Sequence, residues 1–471
     1  MNRLLITGTN SGCGKTTITC AILSALKSRG VMPTAYKCGP DYIDPMFHRA
    51  VSGVNAYTLD PFFLNGEELC AHLAAHTKQL AVIEGAMGYY DGIAATDEAS
   101  AYTVARETDT PVILAVNAKG SGNSLGAVIE GFVRHKKNSN IRGVIFDDAT
   151  EARYPDLMQI AEKAGIHASV HKDFRAYGYM PHKKEWSLPS RHLGLLTTDE
   201  IVGLQDMLFA LGRQAEKTMD IDGILALAET ATPLKQVTKP ASSYCSKVRL
   251  AAAKDEAFCF RYEENMETLE MLGCEIVFFS PLKDQTLPVN INGLYLCGGY
   301  PELYAGLLSA NRTMRESIRR AVEQGMPTIA EGGGFLYLHE ELDGKPMCGV
   351  IPGLAFETEK LQRFGYVTLT ARKDNLLCEA GERIRSREFH YWDSTCAGDG
   401  FIAQKAGRVF SYSCVNTSDS LYAGFPHLYF PANPAFAERF VERMNYYEPE
   451  RPVDTNPACG RNSVQCLFRT P

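Results

Sequence analysis

No stretch of this sequence approaches the ~20 consecutive apolar residues that a membrane-spanning helix needs, so nothing in it reads as a bilayer anchor. A charged-then-apolar leader is missing too. The chain runs from Met1 into Leu4-Leu5-Ile6-Thr7 and a glycine-rich loop, and a cytoplasmic protein is the expectation. Positive charge is not in surplus: Lys plus Arg number 48 against 55 Asp plus Glu, a net charge of −7. That balance argues against nucleic acid as the main partner, because neutralising phosphates needs basic surface, although it leaves room for a local basic pocket. The 14 cysteines are scattered from Cys13 to Cys466 without a single Cys-x-x-Cys pair. A chain this long builds a core without covalent staples, so buried, reduced thiols fit better than a disulfide framework. No internal repeat is seen.

What is present is ordinary globular material. Of 471 residues, 45% are hydrophobic and 22% charged, which leaves no case for disorder or fibrous repeats. The length fits about three domains or two large ones. Short buried-strand runs at Leu4–Thr7, Leu80–Glu84, Val112–Val116 and Gly143–Phe146 alternate with helical patterns. After the first run, Ile18, Ala21, Ile22, Ala25 and Leu26 recur at helical spacing, with Gly30 where a C-cap belongs. This alternation predicts a parallel sheet with helices on both faces. Around Thr232–Ser246 the pattern gives way to the polar, proline-punctuated TPLKQVTKPASSYCS, read as a linker. A second α/β series follows at Val248–Ala253, a helix after Glu263, then Glu275–Phe279, Gly293–Leu296 and Pro327–Ala330. The expected organisation is a domain over 1–235, a linker over 236–246, a domain over 247–447 and a loose tail over 448–471.

The strongest chemical signal is Gly8-Thr9-Asn10-Ser11-Gly12-Cys13-Gly14-Lys15-Thr16-Thr17, between a predicted strand and a predicted helix. Small residues let backbone N–H groups converge on phosphate oxygens, and the helix N-terminus adds its partial positive charge. Gly12, Gly14, Lys15, Thr16 and Thr17 are therefore the expected nucleotide cradle, with Lys15 on the β/γ-phosphates and the Thr16 hydroxyl offered to Mg²⁺. The first glycine stands one position earlier than in the standard pattern, with Thr9 in its place. A Mg²⁺ site also needs carboxylates at strand ends near the loop. Glu84 closes a buried strand and Asp91 follows it; Asp41 and Asp44 sit three apart in KCGPDYIDP. Taken alone, each of these Asp residues is equally well a turn former.

These motifs, GTNSGCGKTT, YKCGPDYIDPMFH, EGAMGYYDG and LPSRHLGL, with DEAFCFRYEEN, CGGYPEL and EFHY in the second half, together resemble the cobyrinic acid a,c-diamide synthase family over about residues 3–440. The resemblance implies two doubly wound α/β domains: a P-loop NTPase-like domain of the dethiobiotin-synthetase type, then a class I glutamine-amidotransferase-like domain. It implies ATP- and Mg²⁺-dependent amidation of acetate carboxylates on a tetrapyrrole polycarboxylate in cobalamin biosynthesis, through acyl phosphates, with ammonia or glutamine as nitrogen donor. By the same resemblance Lys15 and Thr16 serve phosphates and metal, Glu84 and Asp44 hold Mg²⁺, and Lys37 and Asp41 face the substrate. His48, Arg49, Arg191 and His192, with Lys37, are the expected local positive charge for the substrate's carboxylates.

The sequence departs from the family in the second domain, where a cysteine nucleophile is expected in a pattern like A-E-C-G-G. Here the segment reads Ala330-Glu331-Gly332-Gly333-Gly334, with Gly332 at the nucleophile position. Glycine tolerates the strained elbow but supplies no thiolate. His427 in GFPHLYF matches the family's catalytic histidine and Gly298-Gly299 its oxyanion region; Cys297 beside them is the alternative nucleophile. The expectation is a domain that does not hydrolyse glutamine, so that free ammonia or a partner's glutaminase supplies nitrogen. Smaller departures are Arg387 before Glu388-Phe389-His390-Tyr391, Asp147-Asp148 where Asn and a basic residue are usual, and Asn117 where Asp is common. They leave open another tetrapyrrole, such as nickel sirohydrochlorin, and the base of the nucleotide. A non-catalytic family member is the third reading. The oligomeric state is not readable; a homodimer is the commonest soluble assembly.

Overall fold

The computed structural model describes residues 1–168, 174–186, 190–191, 194–195, 197–234 and 247–448, with the backbone only at 190–191, 194–195 and 199. The linker expected over 236–246 and the expected tail beyond residue 448 lie outside the described residues.

The N-terminal domain is built on seven parallel strands, β1 (Asn2–Gly8), β2 (Thr34–Cys38), β3 (Ala56–Leu59), β4 (Leu80–Glu84), β5 (Val112–Asn117), β6 (Ile141–Asp147) and β7 (Arg175–Met180), in the order β3-β2-β4-β1-β5-β6-β7. The central strands are buried on both faces: Leu4, Leu5 and Ile6 of β1 are at most 1% exposed. Such strands read as unbroken apolar runs, which is why β1, β4, β5 and β6 were visible in the sequence. Helix α1 (Lys15–Ser28) follows β1 and ends as expected, with Gly30 in the left-handed conformation (φ 77°) and the Val31 N–H closing on the Leu26 carbonyl. Helix α2 (Ile43–Ser52) follows β2; its free N-terminal N–H groups of Ile43 and Asp44 are taken by Asp41 Oδ1 at 2.8 and 3.4 Å.

In the C-terminal domain the strands Cys274–Phe279, Val248–Ala253, Gly293–Leu296, Thr328–Glu331 and Leu421–Gly424 lie side by side in parallel, and Asn416–Thr417 adds an antiparallel edge. The strand expected from Pro327 begins one residue later, since proline has no N–H for the ladder; its carbonyl accepts from Leu294 instead. A five-stranded antiparallel sheet, with Arg363–Ala371 at its centre, packs beside this one and carries His427–Leu428 at its edge. The two domains share a packed face. Tyr42 stacks on Phe260 at 5.4 Å, Phe63 on Tyr429 at 4.8 Å, and the Tyr366 hydroxyl donates to Asp60 Oδ2 at 2.8 Å.

The eleven cysteines among the described residues are all free thiols, and eight of them are buried. No helix among the described residues is long and apolar enough to cross a membrane.

Candidate active site

The loop from Gly8 to Thr17 joins β1 to α1 as the sequence requires. Gly14, the residue before the helix, is left-handed (φ 84°), and a Cβ there would lie 2.4 Å from the Asp147 carboxyl carbon. Only glycine meets both constraints. Lys15 folds back over the loop, its ammonium donating to the Asn10 carbonyl at 2.8 Å, and burial pushes its pKa down. Asp147 itself is held by the Asn117 amide at 3.2 Å, and burial raises its carboxyl to about 6. This departure from the family pattern therefore touches the phosphate loop, while Asp148 turns to Lys119 at 3.7 Å.

Beside the loop lies a buried cluster centred on Glu84. Strand register explains it, because Glu84 at the end of β4 is paired with Lys37 of β2 and Ile6 of β1. Glu84 Oε1 accepts from Lys37 Nζ at 2.8 Å and from Thr16 Oγ1 at 2.7 Å; Oε2 meets His48 Nε2 at 2.7 Å. Asp44 and His48 are four residues apart on α2, so both turn to the same side, and the Asp44 carboxylate is also paired with Lys37. Burial opposes ionisation of Glu84, but Lys37 and the His48 hydrogen bond outweigh it and hold the carboxyl well below its usual range. Burial, with Asp41 close by, instead raises Asp44 to about 8. The two acids flanking Lys37 thus have different proton affinities, and the ammonium stays charged.

Thr16, Glu84 and Asp44 offer oxygen donors in the cluster that already accommodates the Lys37 cation, a chemistry that suits Mg²⁺. No group of three His, Cys, Asp or Glu side chains among the described residues is arranged to hold a metal by itself. The fit is to an ion that keeps few protein ligands and completes its shell on phosphate oxygens and water. His48, expected to lend positive charge to the substrate's carboxylates, is fully buried behind Glu84 and faces no open surface. Arg49 points the other way, to Glu263 of the C-terminal domain at 2.6 Å. Only the backbone of Arg191 is described, in the strand Ser190–Arg191, and His192 lies outside the described residues.

The second constellation surrounds Gly332. This residue links Thr328–Glu331 to the helix Gly333–Leu338 with φ 50° and ψ −108°, the strained elbow the sequence suggested. His427, held in place by pairing with Arg387 across the antiparallel sheet, brings its ring to the vacant side of Gly332. A Cβ at 332 would lie 2.7 Å from His427 Nε2, and one at Gly298 would lie 2.3 Å from Cε1. The elbow, histidine and glycine pair are therefore assembled, with the ring filling part of the space a side chain at 332 would take. Glu331, not singled out in the sequence, stands 3.7 Å from His427 Nδ1 while accepting from Tyr295 and from Leu428 N, each at 2.8 Å. Cys297 does not serve as a substitute nucleophile: it is fully buried, bonded to the Ala253 carbonyl at 3.4 Å, and burial pushes its thiol up to about 12.

A cavity of about 350 Å³ between the domains joins the two constellations, with Asp41 and Asp44 at one end, Gly332 and His427 at the other, and Tyr42 and Arg387 in the wall. Arg387 extends over Tyr42, with its guanidinium carbon 5.5 Å from the ring centroid.

Comparison with known proteins agrees with this two-domain fold. Residues 4–195 match the CobQ/CobB/MinD/ParA nucleotide binding domain, and residues 249–434 match the CobB/CobQ-like glutamine amidotransferase domain. The chain is 36% identical over 463 residues to the cobyrinate a,c-diamide synthase of Thermoplasma volcanium, covering 96% of this chain and 99% of that one. It is 36% identical to the protein of that name from Caldanaerobacter subterraneus subsp. tengcongensis, covering 94% and 98%. It is 35% identical to that of Clostridium acetobutylicum, covering 94% and 100%. With identity at this level along nearly the whole of both chains, and with the phosphate loop, the Glu84 cluster and the amidotransferase elbow in place, the chain belongs to the cobyrinate a,c-diamide synthase family.

Proposed function

We propose that this chain is a carbon–nitrogen ligase that amidates the a and c acetate carboxylates of cobyrinate, or of a close tetrapyrrole, using ATP and taking ammonia without hydrolysing glutamine itself. The observation that carries the reading is the Thr16–Glu84–Lys37–Asp44 cluster beside the phosphate loop, which reaches through Asp44 a cavity with glycine at 332 on its other side. A carboxylate is a poor electrophile. One of its oxygens attacks the γ-phosphorus of ATP, ADP leaves, and an acyl phosphate remains. Ammonia nitrogen then bonds to the carbonyl carbon, phosphate departs with the C–O electron pair, and a proton is lost to give the amide. Mg²⁺, when bound through Thr16, Glu84 and Asp44, would supply charge neutralisation on the phosphates. Lys15 and Lys37 add fixed positive charge where negative charge moves, and positioning does most of the work in such a step.

The test is mass spectrometry of cobyrinate incubated with the purified chain and Mg-ATP, with ammonium or glutamine as donor. Amidation with ammonium and not with glutamine is expected. Turnover with glutamine would overturn the ammonia reading, and none with either donor would overturn the substrate. A second reading, amidation of another tetrapyrrole such as nickel sirohydrochlorin, is favoured by Arg387, which stands in the cavity wall where the family pattern differs. The same assay with that substrate decides between them. A non-catalytic protein would show no concentration-dependent thermal stabilisation by Mg-ATP.

A further inference from the structure

Three spaces adjoin in series between the domains, the first two sharing Asp41 and Tyr42. One is the cavity of about 350 Å³ already described. The second is a throat of about 30 Å³, walled by Asp41, Tyr42, Arg49, Arg261 and Glu263. Past Met46, Arg49, Cys259 and Arg261 the throat opens into the third, an inter-domain cleft of about 1070 Å³ bounded by Leu204, Lys254, Phe258 and Lys283. The volume of this cleft is at the upper limit of small-molecule sites, the size a macrocycle needs and far more than the first cavity offers.

The charges lining the cleft are unevenly satisfied. Of its acids, Asp206 is exposed, while Asp255 is consumed internally, accepting from the N–H groups of Ala257, Phe258 and Leu282 and from the Ser280 hydroxyl. Glu256 is taken by Lys283 at 2.7 Å. Against this, Arg49 and Arg261 share one carboxylate oxygen, Glu263 Oε1, at 2.6 and 3.1 Å. The Arg261 side chain is only 4% exposed, and its Nε has no hydrogen-bond partner. A buried guanidinium with an unmet donor is costly unless a ligand completes it, and a planar carboxylate matches the fork. Lys254 adds a cation on the same wall, 4.5 Å from the Phe278 ring centroid.

We propose that this cleft holds the tetrapyrrole ring, with Arg49 and Arg261 exchanging Glu263 for a carboxylate of the ring and so directing an acetate arm through the throat to Asp41. The assignment rests on the amidoligase reading above. It makes Glu263 a competing anion that closes the throat until the substrate displaces it, and Arg261 a substrate-positioning residue. It also places the ring on the side of Asp41 opposite Gly332 and His427, so that ammonia and carboxylate approach from different spaces.

The test is absorbance titration of the full chain with cobyrinate, and with sirohydrochlorin as a second probe, in the absence of ATP. Arg261→Met and Lys254→Glu should each weaken binding at least about tenfold, while thermal stabilisation by Mg-ATP stays at the wild-type level. Glu263→Gln, which removes the competing charge, should tighten binding several-fold. If Arg261→Met fails to fold, Lys254→Glu and Glu263→Gln still decide the matter. Wild-type binding unchanged by Lys254→Glu, or weakened by Glu263→Gln, would overturn the cleft assignment alone. A wild type that binds neither probe but is stabilised by Mg-ATP would overturn the tetrapyrrole reading and this assignment with it.

Discussion

Placing a cysteine at 332 separates the backbone geometry of the elbow from its chemistry. The φ of 50° and ψ of −108° at Gly332 lie where only glycine is unstrained, and a non-glycine residue there costs about 1–3 kcal/mol. A second cost comes from His427: the new Cβ would lie 2.7 Å from Nε2 and 3.0 Å from Cε1, so the ring must withdraw. Its retreat is limited by Tyr42, whose ring centroid lies 5.2 Å away, and by Glu331 at 3.7 Å. Gly332→Ala carries both costs with no thiol. Both variants should therefore melt lower, by roughly 2–12 °C for a domain of this size. Only Gly332→Cys should react with iodoacetamide at neutral pH faster than a free thiol, because the adjacent imidazole favours the thiolate, and only it should release glutamate from glutamine. Differential scanning calorimetry and a glutamate-release assay measure the two effects. A Gly332→Ala protein as stable as wild type would refute the strain argument. A Gly332→Cys protein with ordinary thiol reactivity would refute the claim that His427 is poised as a base.

Lys37→Met leaves Glu84 and Asp44 buried without their shared cation; a loss of about 3–5 kcal/mol in urea denaturation is expected, together with loss of amidation. Across the domain face, His76 Nε2 meets Glu267 Oε2 at 2.8 Å. Burial would push His76 down, but the Glu267 hydrogen bond raises its pKa, and Glu267 is lowered in turn against the opposing effect of burial. The histidine's contribution is full below its unfolded pKa near 6.5 and is lost as pH rises through the raised folded value. That of Glu267 is full above its unfolded pKa near 4.3 and is lost as pH falls through its depressed value. Melting temperature plotted against pH should therefore fall on the alkaline side of this window, and His76→Ala should flatten that limb. Asp60, raised by burial to about 7, behaves in the opposite sense to Glu267: its ionisation costs stability between pH 4 and 7, and Asp60→Asn should remove that decline in the same melting series.

The strands legible in the sequence were those buried on both faces, whose apolar runs have no competing interpretation. Strand β2 was not among them because it carries Lys37, whose charge is hidden only by Glu84 and Asp44 arriving from other elements. Strand β3 has four residues, too few for a pattern. The antiparallel sheet was missed for a related reason. Arg383–His390 reads RIRSREFH, an alternation in which polar residues outnumber apolar ones, and of its pairing partners only Arg363–Ala371 is near in the chain, His427–Leu428 being far from it. Local chemistry was easier to see. The phosphate loop needs only a strand, a turn and a helix that adjoin in sequence, and Glu84 needs only to close a buried strand. His48 was recognised but its role was not, since nothing in DPMFH shows that α2 turns Asp44 and His48 inward together.

Arg49 and Arg261 show where sequence reasoning reaches its limit. Arg49 is expected near the substrate as one of several cations that a polycarboxylate needs, and alone it is one surface cation among many. Its meaning changes when a second guanidinium, 212 positions later, is found on the same oxygen of Glu263. A chain with a net charge of −7 gathers local positive charge by bringing cations from two domains onto one carboxylate, then burying one of them. No linear pattern announces that arrangement, because only Arg261 is near Glu263 in sequence and Arg49 reaches it from the other domain. The same reasoning separates the two halves of the site. The Glu84 cluster is complete within the N-terminal domain and owes nothing to residue 332, so a thiol there can be absent while the groups proposed to activate a carboxylate remain assembled. The throat, by contrast, is built from both domains, and a change that loosens the Tyr42–Phe260 contact should weaken substrate capture before it disturbs nucleotide binding.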